Sequence, residues 1–67
     1  MKAVKLSTLK KGDLFTLKPI EEPTESQVYI RDDYDRSLKK YDCYKFSDIC
    51  QYRSFKGDKI VYVDFYF

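Results

Sequence analysis

The chain of 67 residues carries 13 basic and 11 acidic side chains, seven tyrosines, five phenylalanines and no histidine. A net charge of +2 does not by itself indicate a nucleic-acid-binding protein. The lack of histidine removes the commonest general base and a usual zinc ligand, and no run approaches the ~18 apolar residues of a membrane-spanning helix. We therefore expect one small domain, residues 1–67, in the cytoplasm, with no cofactor and no contact with a membrane.

Two segments share one pattern, an apolar residue followed by Lys-Gly-Asp and then by a run typical of a strand. They are residues 9–15 and 55–61, and they contain Gly12 and Gly57, the only glycines of the chain. Glycine adopts positive φ without a steric cost, and Lys-Gly-Asp is a strong turn signal. The repeated pattern predicts an all-β domain in which two similar turns each lead into a strand.

Alternating apolar and polar residues predict six short strands. In chain order these are residues 4–6, 14–18, 27–31, 39–46, 51–55 and 59–67. Residues 19–26 are predicted to form a loop, because Pro19 and Pro23 cannot donate to a ladder. Residues 32–37 are predicted to form a polar hairpin loop, and residues 47–49 one short helical turn that begins with a serine cap.

The alternation also predicts which side chains face the core. The predicted inward set is Phe15, Leu17, Val28, Ile30, Val61, Val63 and Phe65, and the outward set includes Tyr29, Arg31 and Tyr62. The fourth strand has a mixed pattern. Either Cys43 with Tyr41, or Tyr44 with Phe46, faces the core, because a shift of one residue exchanges the two faces of a strand.

Five or six short strands with tight turns and at most one short helical turn predict a mostly β protein. We expect a small SH3-like barrel or a strongly bent antiparallel sheet. Closure of the barrel is favoured because a long apolar strand at an open edge would promote aggregation. An OB-like barrel fits less well, since that fold usually needs more residues and a helix.

Few residues offer catalytic or metal-binding chemistry. Residues 32–35 are rich in carboxylates, but the positions where an EF-hand needs glycine and glutamate hold a leucine and a tyrosine. Asp64 lies in an apolar strand and is expected on its solvated side. Cys43 and Cys50 are expected to be reduced and buried, with a disulfide across the six residues between them as the alternative. We therefore predict that the protein is not an enzyme.

Aromatic and basic residues suggest a binding surface instead. Tyrosine and arginine are enriched in protein interfaces, and exposed tyrosine beside a cation also suits single-stranded nucleic acid. The hairpin segment 34–41 combines two tyrosines with three cations. The candidate binding residues are Tyr29, Arg31, Tyr34, Arg36, Lys39, Lys40, Tyr41 and Tyr62.

These features predict a non-enzymatic binding module. The leading hypothesis is recognition of a protein partner, or of a second copy in a homodimer, through the tyrosine-rich face or an exposed strand edge. The alternative is weak, salt-sensitive binding of nucleic acid through the 34–41 hairpin and exposed tyrosines.

Several segments together form a wider pattern, at residues 9–13, 28–31, 34–37, 39–41, 55–58 and 63–65. In this pattern the chain resembles a group of short bacterial and phage-type proteins of unknown function. The resemblance spans nearly the whole chain and implies one compact domain with SH3-like-barrel character. It implies no activity, ligand or binding residue.

Overall fold

The computed structural model describes residues 1–48 and 50–67, and its six strands form one antiparallel sheet. The strands are β1 Lys2–Lys5, β2 Leu14–Thr16, β3 Val28–Asp35, β4 Lys40–Lys45, β5 Tyr52–Lys56 and β6 Ile60–Val63. The helical elements in these residues are two 3₁₀ turns, Leu6–Thr8 and Glu25–Gln27. The predicted mostly β class is therefore confirmed. None of the described helical elements is long and apolar enough to cross a membrane.

The 3₁₀ turns do not lie where the sequence predicted a helical turn. The predicted turn at residues 47–49 includes Ile49, which lies outside the described residues. The turn Glu25–Gln27 ends the loop between β2 and β3, and Thr24 prepares it: its N–H donates a 2.9 Å hydrogen bond to Oε1 of Gln27. The Gln27 side chain thereby satisfies the N–H of Thr24, a backbone donor that the short turn cannot pair by itself.

The strands are ordered β1-β6-β2-β3-β4-β5 across the sheet, so β1 and β5 are its terminal strands in the described residues. The first 3₁₀ turn bridges towards the connection between β5 and β6. Leu6 N–H donates to the carbonyl of Lys59 at 2.9 Å, and Ser7 N–H donates to the carbonyl of Gly57 at 3.0 Å. The turn after one terminal strand, β1, thus contacts the other terminal strand, β5, while full closure into a barrel remains a prediction.

One face of the sheet, here called the inner face, carries the core. The fully or almost fully buried residues of this core are Leu6, Phe15, Tyr29, Cys43 and Val61. Phe15 stands opposite Tyr29 in the β2–β3 ladder, and their rings stack with centroids 5.8 Å apart. Tyr41 also packs against the core. The open question about β4 is answered: Cys43 and Tyr41 face inward.

The predicted faces of β3 are reversed: Tyr29 and Arg31 lie on the inner face, and Val28 and Ile30 lie on the opposite one. The ring of Tyr29 is only 7% exposed, because it stacks on Phe15 and meets Phe55 edge-on at 6.4 Å. Val28 on the opposite face is also buried, and Ile30 is half-buried. A strand with cover on both sides does not show the inside–outside alternation on which the prediction depended.

A second aromatic cluster, formed by Phe46, Phe65 and Phe67, lies near Val28 on the face of the sheet opposite the core. Phe46 N–H donates to the carbonyl of Val28, and the Phe46 ring lies 4.9 Å from that of Phe67. Phe65 contacts Phe67 edge-on at 6.5 Å, and Tyr66 N–H donates to the carbonyl of Glu21 at 2.8 Å. The residues after β6 therefore fasten to the loop that follows β2.

Strand β6 is shorter than predicted because it ends at Val63. Asp64 follows with φ of +59°, a left-handed conformation that breaks an extended strand. Val61 and Val63 pack in the core as predicted, whereas Phe65 joins the second aromatic cluster instead. Strand β2 also ends early, at Thr16, whose Oγ1 donates to the carbonyl of Lys18 at 2.7 Å.

Strand β3 is longer than predicted and continues to Asp35, so the predicted loop at residues 32–37 is wrong. A bulge lies between Arg31 and Tyr34, after which Tyr34 pairs with Tyr41. The turn itself is tight, because Oδ1 of Asp35 accepts the N–H groups of Ser37 at 2.9 Å and of Leu38 at 3.3 Å. Lys39 closes it with φ of +55°.

The two Lys-Gly-Asp segments need glycine for different reasons. Gly12 has φ of +95°, with open space where a Cβ would lie. At Gly57 a Cβ would lie 3.1 Å from Cε2 of Tyr41 and 3.2 Å from Cβ of Ser7. The first glycine therefore serves backbone conformation, and the second allows the first 3₁₀ turn and Tyr41 to approach closely.

Substituting both glycines by alanine and by asparagine separates these reasons. Gly12→Ala should lower the free energy of unfolding by about 1–2 kcal/mol, because left-handed backbone is costly for a residue with a Cβ. Gly12→Asn should lower it less, since asparagine tolerates positive φ. At Gly57 the order should reverse, because the larger side chain meets more crowding. Urea unfolding measures all four variants, and the same order at both positions would contradict this account.

Candidate binding surface

Three of the predicted binding residues meet on the inner face where the β3–β4 hairpin extends beyond the core. Tyr34 and Tyr41 are cross-strand neighbours, and their rings lie 4.6 Å apart with a tilt of 46°. The guanidinium carbon of Arg31 lies 4.5 Å above the centroid of the Tyr41 ring. This distance is within the range of a cation–π interaction. The three side chains therefore form one stacked unit.

Backbone and side chain together hold Arg31 in place. Its N–H donates to the carbonyl of Asp13 at 3.0 Å, and its carbonyl accepts the N–H of Gly12 at 2.8 Å. The residue is half-buried, and its Nε is a buried donor with no hydrogen-bond partner in the described structure. Leaving this buried donor unpaired costs the fold free energy.

The cations predicted near the hairpin separate into two groups. Arg36 and Lys39 are exposed in the turn, beside Leu38, which is 62% exposed. Lys40 lies in β4 on the other face of the sheet, here called the outer face, between Asp35 and Lys56. The hairpin therefore does not gather its charges around Tyr34 and Tyr41 in the way that the sequence suggested.

Two predicted residues lie away from this unit. Tyr29 is a core residue and offers no exposed ring, which corrects its assignment to a binding face. Tyr62 is half-buried in β6, where it stands opposite Ala3 and Thr16. The eight candidates thus do not form one continuous surface.

The outer face carries a row of apolar and aromatic residues that sequence reasoning missed. Residues directly opposite one another on four adjacent strands form this outer row, and they are Leu14, Ile30, Tyr44 and Tyr52. The row ends at Tyr52, which is 60% exposed and whose ring lies 5.6 Å from that of Tyr44. Strand register brings these residues together, and a single sequence carries no direct signal of register.

Strand β5 is an open edge of the sheet in the described part of the chain, because it pairs with β4 alone. Lys45 N–H donates to the carbonyl of Gln51, a pair that extends the β4–β5 register by one residue. Hydrogen-bonded and non-hydrogen-bonded pairs alternate along an antiparallel ladder. Gln51, Arg53 and Phe55 therefore point their backbone N–H and C=O groups to β4. The N–H and C=O groups of Tyr52 and Ser54 therefore point to the open edge.

Two carboxylates, those of Asp13 and Asp64, flank one open cleft of about 320 Å³. Oδ2 of Asp13 accepts the N–H of Lys10 at 2.8 Å, which fixes the turn before β2. Asp64 is exposed, as predicted. Within residues 1–48 and 50–67, no group of three or more Cys, Asp or Glu side chains converges as metal ligands do.

The two cysteines differ in environment. Cys43 is fully buried, and desolvation raises its pKa to about 11, although the backbone of Asp32 and the charge of Arg31 act in the opposite direction. Cys50 is exposed, so the expectation that both thiols are buried is wrong for this residue. Both thiols are free, as expected.

Comparison with protein-family models, with curated proteins and with solved structures found no match to this chain. The functional argument therefore depends on the stacked unit, the outer row and the open edge of β5.

Alkylation distinguishes the two thiols. At pH 8, Cys50 should react with iodoacetamide at the rate of an unstructured cysteine, because the thiolate is the nucleophile and this residue is accessible. Cys43 should react only when the protein unfolds, since it is buried and its raised pKa reduces the thiolate fraction further. Mass spectrometry of alkylated peptides measures both rates, with protein in urea as the control. Rapid labelling of Cys43 in the folded protein would contradict this description of the core.

Proposed function

We propose that this protein is a non-enzymatic protein-binding module that captures an extended segment of a partner as an additional strand beside β5. The observation that carries the proposal is the row of outward backbone groups on Tyr52 and Ser54. An extended peptide that pairs with such an edge gains main-chain hydrogen bonds, while its alternating side chains contact both faces of the sheet.

The side chains around the edge support this mode of binding. Tyr52 continues the outer row to the boundary of the sheet, and tyrosine is a frequent anchor in protein interfaces. On the inner side, Phe55 is half-buried against Tyr29 and Tyr41 stands opposite it. An added strand would therefore find an aromatic neighbour on each face.

Strand β5 also lacks a proline and a β-bulge, two features that commonly prevent an edge strand from pairing with another chain. β5 contains neither proline nor glycine, and its register with β4 is regular over five pairs. The bulge of this sheet is in β3 instead. Native edge strands are usually protected by proline, by bulges, by charge or by a covering loop. Of these, β5 has the charges of Arg53 and Lys56 and a contact with the first 3₁₀ turn, which approaches Gly57 just beyond its end.

Ser54→Pro tests the edge directly, with Ser54→Ala as its matched control. Both variants lose the hydrogen bond from Ser54 Oγ to Asp42 Oδ1 (2.9 Å), but only proline removes the outward N–H. Proline is accepted on an edge strand when its N–H faces solvent. Random heptapeptides displayed on phage and selected on Ser54→Ala should bind that variant and lose at least tenfold in affinity on Ser54→Pro. Equal binding to both, or no selected peptide, would refute strand addition.

Nucleic-acid binding is the second candidate, and the exposure of Arg36 and Lys39 at the hairpin tip favours it. It has weaker support, because the carboxylates of Asp32 and Asp33 lie on the same hairpin. Tyr41 is also covered by Arg31 on one side of its ring.

Titration with a random single-stranded oligonucleotide at two salt concentrations tests this candidate. A phosphate-binding hairpin should lose roughly 0.7 log units of affinity per log unit of salt for each phosphate contacted. Arg36→Ala with Lys39→Ala should weaken that binding, and Ser54→Pro should leave it unchanged. If the oligonucleotide does not bind at the lower salt, nucleic acid is excluded as the ligand of the hairpin.

A further inference from the structure

Strands β3 to β5 separate their charges by face. The charged residues that these strands place on the inner face are all cations, namely Arg31, Lys45 and Arg53. Arg31 and Arg53 both stand opposite Cys43, from its two neighbouring strands, and Lys45 stands opposite Tyr29. Because Cys43 and Tyr29 are core residues, the cations that face them project from the same side of the sheet.

The acids of the same strands are already engaged elsewhere. Asp32 and Asp33 in the bulge bind Nζ of Lys11 at 3.8 and 2.9 Å. Asp35 holds the hairpin turn, and Asp42 accepts the hydroxyl of Ser54 on the outer face. In the described residues no ion pair joins any of these acids to the three inner-face cations. The three inner-face cations are therefore free of a direct salt bridge to the acids of their own strands.

One of these cations is placed to meet a ligand. Arg31 is half-buried and held over Tyr41. Arg53 is instead exposed on the edge strand itself. A residue added opposite Arg53 would occupy a non-hydrogen-bonded pair, since the backbone groups of Arg53 point to β4. In such pairs Cα atoms approach to about 4.5 Å and side chains are closest.

We infer that the segment captured by β5 is acidic. Its aspartate or glutamate stands opposite Arg53 on the inner side, and an apolar residue two positions away stands opposite Phe55. This inference rests on the proposed strand addition and names the chemistry of the partner. A carboxylate fits because it forms charge-assisted hydrogen bonds with a guanidinium in a planar, two-point geometry.

A second copy of the chain fits this edge less well. β5 contains Arg53 and Lys56 and no acidic residue. Two β5 strands paired antiparallel about Ser54 would place Arg53 of each copy opposite Phe55 of the other, so neither guanidinium would meet a carboxylate. An acidic segment supplies that carboxylate directly and is the better occupant.

The selection on Ser54→Ala also tests this inference. Among selected heptapeptides, an acidic residue and an apolar residue two positions apart should be enriched. Changing that acid to lysine in a synthetic peptide should weaken binding about tenfold, the equivalent of one charge-assisted interaction. Arg53→Glu, made in the same Ser54→Ala background, should reverse the preference. Restored binding of the lysine peptide then shows that the variant is folded.

The outcomes separate the two proposals. If selected peptides show no acidic preference but still fail to bind Ser54→Pro, strand addition stands and the inference of an acidic partner is wrong. If peptide binding is the same in Ser54→Pro and Ser54→Ala, both are wrong. Sedimentation of the protein alone completes the test: a dimer that Ser54→Pro abolishes would assign the edge to a second copy and overturn the acidic partner.

Discussion

The stacked pair of Phe15 and Tyr29 determines which residues of the neighbouring strands face the core. These rings are opposite each other in the β2–β3 ladder and both are buried, so the face they share becomes the core. Alternation along β3 then places Arg31 on the same side, and pairing with β4 brings Cys43 and Tyr41 there. A register shift of one residue would exchange this set with the residues of the outer face. The positions of both arginines and of the outer row follow from this contact.

The bulge in β3 changes what the hairpin presents. Without the additional residue, strict alternation from Arg31 would place Asp33 on the inner face and Tyr34 on the outer face. With it, Tyr34 stands opposite Tyr41, and the carboxylate of Asp33 binds Lys11. Bulges redirect side chains in this way in many sheets. Here the effect is to bring Tyr34 against Tyr41 and to direct Asp33 towards Lys11.

Local signals in the sequence predicted the mostly β class, six strands near their observed positions and the inward direction of Phe15, Val61 and Val63. They failed where a residue's surroundings come from distant parts of the chain. Tyr29 appeared solvent-facing because its neighbours in sequence are apolar, yet its cover comes from Phe15 and Phe55. All three residues of the stacked unit were among the predicted binding residues, but their contact and the inward direction of Arg31 were not predicted. The outer row and the direction of the β5 amides depend on register, which no short window of sequence contains.

The pairing of β1 with β6 has a consequence for the order in which the fold forms. Lys2 stands opposite Val63, whereas β3, β4 and β5 are joined by short connections and pair with their neighbours in sequence. Closing a loop of some sixty residues costs more entropy than closing a hairpin, and contacts of that kind slow folding. The three-stranded meander is therefore expected to form early. Strand β1 precedes the other five strands along the chain and is expected to be among the last to pair.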